Sequence, residues 1–224
     1  MSTPANAPFV SSYFTLRQSL GIMSMLFPLA LFFGGLLTMG EVMPSISDYY
    51  FSPMRDLVVS ALVVFGIFLA ASREDGPDAI QPNLIGFMAC AGAVGVALFP
   101  NQPPTTGMQS FVHTFLDPKL CIMLHFASAL MFLFALAAFC LCRFTRRADA
   151  RERRFHQYCG KTIIAAGIIA TIASFGRLFN WPGMAHHVEA LNLIFWLETI
   201  GVWAFCLSWM VKGRAEMARA AYQS

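Results

Sequence analysis

The sequence predicts an all-α polytopic membrane protein, a bundle of six transmembrane helices with both termini cytoplasmic. Three observations carry this. Hydrophobic residues make up 57% of the chain against 12% charged, with a mean hydropathy of +0.61, whereas a soluble domain holds roughly 45–50% apolar and about 25% charged residues. The apolar residues fall into six runs, at about 16–40, 54–72, 82–99, 119–143, 162–179 and 188–211, each near the length of about 20 residues that lets a helix cross hydrocarbon with its own backbone satisfied. A basic stretch between the fourth and fifth runs sets the orientation, because Lys and Arg beside a span are retained on the cytoplasmic side.

The residues before the first run lack a basic segment followed by a short apolar core and a small-residue cleavage site, so the first run is expected to remain as a helix. Its Gly21, Gly34, Gly35 and Gly40 allow neighbouring backbones to come close. Next comes the densest mixture of turn residues, aromatics and ionisable groups in the chain, Met43-Pro44-Ser45-Ile46-Ser47-Asp48-Tyr49-Tyr50-Phe51-Ser52-Pro53-Met54-Arg55-Asp56. Pro53 to Asp56 reads as the first turn of the second helix, where proline is tolerated and an acid meets the positive end of the macrodipole. Asp56 has a second reading beside the capping one, as an inward-pointing partner of a histidine or ligand.

The acidic turn 73–78 is expected on the cytoplasmic side. The third run is built of small residues, among them Gly86, Ala89, Gly92, Ala93 and Gly95, as suits a helix packed tightly among others. It stops at Phe99-Pro100-Asn101-Gln102-Pro103-Pro104. His113 and Asp117 precede the fourth run, which carries His125 one to two turns below its outer end; an ionisable side chain within a span usually faces the bundle interior. It reads equally as a neutral histidine bonded to a carbonyl or serine.

The connection from Arg143 to Arg154, followed by His156 and Lys161, is the topology signal and explains its own basicity through insertion. The fifth run ends at Arg177, beside Trp181, where a guanidinium either snorkels to the interface or forms a positive wall for an anionic headgroup. In the last run His187 and Glu198 lie eleven residues apart, which an unbroken helix of 3.6 residues per turn brings near one face. Glu198 falls near mid-membrane, where a carboxylate has to be paired, protonated or solvated. The six cysteines sit mostly in or at the ends of apolar runs, as small packing residues rather than a disulfide framework.

No internal repeat, phosphate loop, His-Glu-x-x-His motif, nucleophile elbow or nucleic-acid signature is present, so the whole chain, 1–224, is expected to form one membrane domain without a nucleic-acid partner. Its expected place is the cell membrane, as a multi-pass protein among membrane lipids, with a homo-oligomer or a second membrane protein as open partners.

Ser45 to Tyr50, Arg55-Asp56, His125-Phe126-Ala127-Ser128-Ala129, Glu198-Thr199, Trp209 and Lys212-Gly213 together resemble a group of uncharacterised bacterial six-span membrane proteins, related to the damage-regulated autophagy modulator and Sfk-type families. That resemblance implies a six-helix fold and no activity. A second similarity is to membrane hydrolases of the alkaline-ceramidase and adiponectin-receptor type, which hold zinc with three His and an Asp. It implies Asp56, His125 and His187 as zinc ligands and a water attacking a lipid ester or amide. This chain has adjacent His186-His187 where that family has His-x-x-x-His.

Three functions follow as expectations. The first is an outward-facing polar pocket of Asp56, Arg55, His125, His187, Glu198 and Arg177 that binds a lipid headgroup or small amphiphile without a cofactor. The others are a zinc-dependent lipid hydrolase and a proton-coupled transporter with Glu198 as proton carrier.

Overall fold

The computed structural model describes residues 7–72, 80–102 and 110–223. Within them the backbone is helical and contains no strand: α1 (Ala7–Met39), α2 (Arg55–Ala71), α3 (Ile80–Leu98), α4 (Pro118–Ala138), α5 (Ala150–Leu178), α6 (Met184–Ala190) and α7 (Leu193–Gln223). Four segments are long and apolar enough to cross a bilayer: Thr15–Met39, Pro118–Arg143, Ala150–Leu178 and Leu193–Arg219. The other two long helices, α2 of 17 residues and α3 of 19, reach about 26 and 28 Å at 1.5 Å per residue, just under the ~30 Å hydrocarbon layer. The acidic turn at 73–78 lies outside the described residues.

These six helices close a ring. α1 packs on α7, α7 on α5, α5 on α4, α4 on α3, α3 on α2, and α2 lightly back on α1. Small residues make the closest seams possible. A Cβ on Gly86 would stand 2.7 Å from the Leu69 carbonyl oxygen of α2, and one on Gly92 would stand 2.6 Å from the Phe132 backbone nitrogen of α4. The outward faces remain apolar, with Met23, Leu37, Met123, Phe134 and Ile168 exposed, the pattern a lipid-facing bundle requires.

At one end of the ring an aromatic core of Phe139, Phe144, Phe205 and Trp209 is fully packed. Here α4 runs into a π-helical turn, Phe139–Arg143, closed by the Phe144 N–H donating to the Phe139 carbonyl at 2.7 Å. The extra residue turns Arg143 inward, where it donates to the Ser72 carbonyl and lies over the Phe139 ring. Arg17 is buried beside it, stacked 4.4 Å from the Trp209 ring and paired with Glu216. Lys212 donates to the Arg146 carbonyl at 2.8 Å, and Arg219 bonds Glu152 at 2.7 Å. His156 is fully buried in the same region, its Nδ1 2.8 Å from Ser208 Oγ. The six cysteines are all free.

Two expected boundaries are corrected. The basic connection from 143 to 154 is already helix from Ala150 on, because Asp149 caps α5 through its Oδ1, which accepts from the amides of Arg151 at 2.9 Å and Glu152 at 2.8 Å. Those bonds, the one from Glu152 foremost, hold the Asp149 carboxyl below its ordinary range. α5 therefore begins at Ala150, a dozen residues before the expected start near 162. The last run is also broken: α6 ends at Ala190, and Asn192 takes a left-handed conformation, φ 47°, before α7 begins at Leu193. Asparagine tolerates that region better than most residues.

Candidate functional site: a polar-headed cavity at the loop end of the ring

The loop 40–54, Asn101-Gln102 just beyond α3 and the end of α5 meet at the opposite end from the aromatic core, and Asp48 is where they join. The 3-10 turn Ser47–Phe51 buries its side chain to 1% exposure. One oxygen, Oδ1, accepts from Asn101 Nδ2 at 2.6 Å and Gln102 Nε2 at 2.7 Å, just beyond α3. The other, Oδ2, accepts from Arg177 Nη1 at 2.5 Å, at the end of α5. Arg177 Nε donates in turn to Glu189 Oε1 on α6 at 3.1 Å. A buried carboxylate needs such a set, since an unpaired charge in a low-dielectric interior is strongly penalised.

The turn itself is fixed locally. Ser45 Oγ accepts from the Asp48 amide at 3.0 Å, and Ser52 Oγ donates to the Tyr49 carbonyl at 2.7 Å. Tyr49 is fully buried, its hydroxyl accepting from the Met43 amide at 3.3 Å, and burial pushes that phenol above its ordinary range. Gly35 is required beneath it, because a Cβ there would approach the Tyr49 hydroxyl to 2.6 Å. Pro44 accepts from the Phe195 amide at 2.8 Å, and Glu198 Oε2 accepts from the Ile46 amide at 2.6 Å. Two backbone-directed bonds therefore dock the first turns of α7 onto this loop.

Below the loop lies a cavity of about 450 Å³ to which all six ring helices contribute. Its polar end is formed by Ser45, Ser47, Asn101, Gln102, His125, Arg177 and Glu198, with Glu189 at the rim. Its deep end is apolar, with Leu133 and Leu136 of α4, Ile163, Ala166 and Ala170 of α5, and Gly201 and Val202 of α7. Gly201 shows the space directly, because a Cβ placed there would meet nothing within 4 Å. His125 is 4% exposed, with Nδ1 2.8 Å from the Phe99 carbonyl. A carbonyl only accepts, so Nδ1 carries the proton and a neutral ring leaves Nε2 as an acceptor.

Of the six expected site residues, His125, Arg177 and Glu198 line this cavity. Arg55, Asp56 and His187 do not. Arg55 donates to the Tyr50 hydroxyl at 2.9 Å and stacks on its ring at 4.4 Å, clamping the loop. Asp56 is exposed on the first turn of α2, where the capping reading places it. His187 is exposed on α6; the break at Asn192 removes the common helical face it was expected to share with Glu198. Among the described residues no three His, Cys, Asp or Glu side chains are grouped to hold a metal ion, and the residues named for zinc do not converge, so no step through a metal is derived.

Arg177 neither simply snorkels nor stands free as a positive wall; it bridges two carboxylates. The residue missed in sequence is Asp48, whose spacing to Asn101, Gln102 and Arg177 carries no local signal. Its one sequence cue is an acid placed directly before the aromatic run Tyr49-Tyr50-Phe51.

No family model, curated protein or solved structure matches the chain.

Proposed function

We propose that this chain is a six-span protein of the cell membrane, both termini cytoplasmic, whose central cavity binds a small amphiphile or lipid headgroup from the outward side. The supporting observation is the cavity's two-part wall: hydrogen-bonding and charged groups at the loop end, and mainly apolar side chains at depth, where the Thr171 hydroxyl is engaged by the Gly167 carbonyl of its own helix. A volume of about 450 Å³ falls within the roughly 300–1,000 Å³ of small-molecule sites, which are mostly apolar with a few placed polar groups. The membrane reading rests on four helices of spanning length, two more that share their ring, and the gathering of Arg17, Arg143 and Lys212 at the aromatic end.

Filling the cavity tests the reading. Gly201→Leu places a side chain into open space on α7, so the protein is expected to fold and to lose the amphiphile that accompanies the wild type through purification in mild detergent, as read by native mass spectrometry. Unchanged bound mass in a folded Gly201→Leu protein defeats the proposal.

A further inference from the structure

Three carboxylates, Asp48, Glu189 and Glu198, stand at the polar end of the cavity against one guanidinium, Arg177. Two of the three are occupied: Arg177 bonds Asp48 and Glu189 through separate nitrogens. Its charge also acts on Glu198 from a distance, but its bonds go to the other two acids. Glu198 has a single hydrogen bond among the described residues, the Ile46 amide on Oε2, and lines the cavity. His125, the remaining ionisable wall residue, offers an acceptor when neutral. The wall therefore presents more acidic groups than basic ones, together with open acceptors, and its cation is already engaged.

An anionic head would meet excess like charge here, which disfavours it, and would have to displace carboxylates from Arg177. A cationic head meets Glu198 and gives that carboxylate the partner it lacks. From His125 to Leu136 the cavity follows α4 for about 16 Å at 1.5 Å per residue, a slot with room for one chain.

We propose that the cavity selects a single-chain amphiphile with a cationic amine head, the ammonium held by Glu198 below the Ser45–Ile46 loop and the alkyl chain lying between α4, α5 and α7. This rests on the cavity being an amphiphile site and adds the class of head it accepts.

The test uses the full chain in phosphatidylcholine nanodiscs, titrated with dodecylamine or dodecyl phosphate, with the thermal unfolding midpoint as readout. Dodecylamine is expected to raise the midpoint at concentrations at least tenfold below any effect of dodecyl phosphate. Glu198→Gln, which keeps an acceptor for Ile46, is expected to weaken the amine response at least tenfold. Thr171→Lys, a cation added to the cavity wall with Glu198 left intact, is expected to reverse the preference, and it carries the test where Glu198→Gln misfolds. Equal or stronger response to dodecyl phosphate in the wild type overturns the headgroup assignment, as does an amine curve unmoved by Glu198→Gln or Thr171→Lys. Gly201→Leu separates the two levels. If it abolishes the response to both amphiphiles while the wild type does not discriminate between them, the cavity reading stands and only the amine falls. If the amine response survives it, both fall.

Discussion

Asp48 accepts from Asn101 and Gln102 just beyond α3 and from Arg177 at the end of α5, while 1% exposed. Asp48→Asn keeps the shape but removes the charge opposite Arg177 and turns an amide toward the donors of Asn101 and Gln102. Removing one partner of a buried pair costs about 3–5 kcal/mol, and with the Arg177 side chain 25% exposed the expected loss is about 3 kcal/mol, read by thermal unfolding in detergent; a loss under about 1 kcal/mol would mean the pair is not structural. His125 and Glu198 were legible as cavity residues because an ionisable group inside an apolar run has few places to go. Asp48 was not, because its bonding partners lie 53, 54 and 129 positions away and nothing local announces them. Arg55-Asp56, conspicuous as a pair, turned out to be a stacked arginine and an exposed acid at a helix start.

For the helices, apolar run length located every long element, while the breaks and extensions escaped it. Asn192 interrupts the last of the apolar runs, and the cap at Asp149 extends a helix into a basic stretch that reads as a loop by charge alone. The small residues of α3 were correctly legible as close contacts, since little but backbone proximity explains so many in one helix. Gly92→Ala puts a methyl group 2.6–2.8 Å from Phe132, and overpacking of this kind typically costs about 1–3 kcal/mol. The expected outcome is a lower unfolding midpoint for Gly92→Ala and none of that penalty for Gly201→Ala, whose Cβ meets open space. Equal effects at the two sites would show that the α3–α4 seam is looser than its geometry.

At the scale of the whole molecule, the ring has a packed end and a hollow end. Arg17, Arg143 and Lys212 surround the aromatic core at the first; Asp48, Glu189 and Glu198 surround the cavity at the second. That separation of charge predicts orientation: in a cysteine-free background, a cysteine at Arg147 is expected to be shielded from a membrane-impermeant maleimide in intact cells and one at Glu41 to be labelled. The reverse pattern would invert the topology. The hollow end also carries a consequence for biosynthesis. Ile46 and Glu198 are 152 positions apart, so at a synthesis rate of about 5–20 residues per second the loop leaves the ribosome roughly 8 to 30 s before its last partner. Until α5 arrives Asp48 has no Arg177, and until α7 arrives Ile46 has no carboxylate, so water is the only solvent that satisfies them. The loop that roofs the cavity is therefore made early and finished last, and the cavity exists only once the final helix has closed the ring.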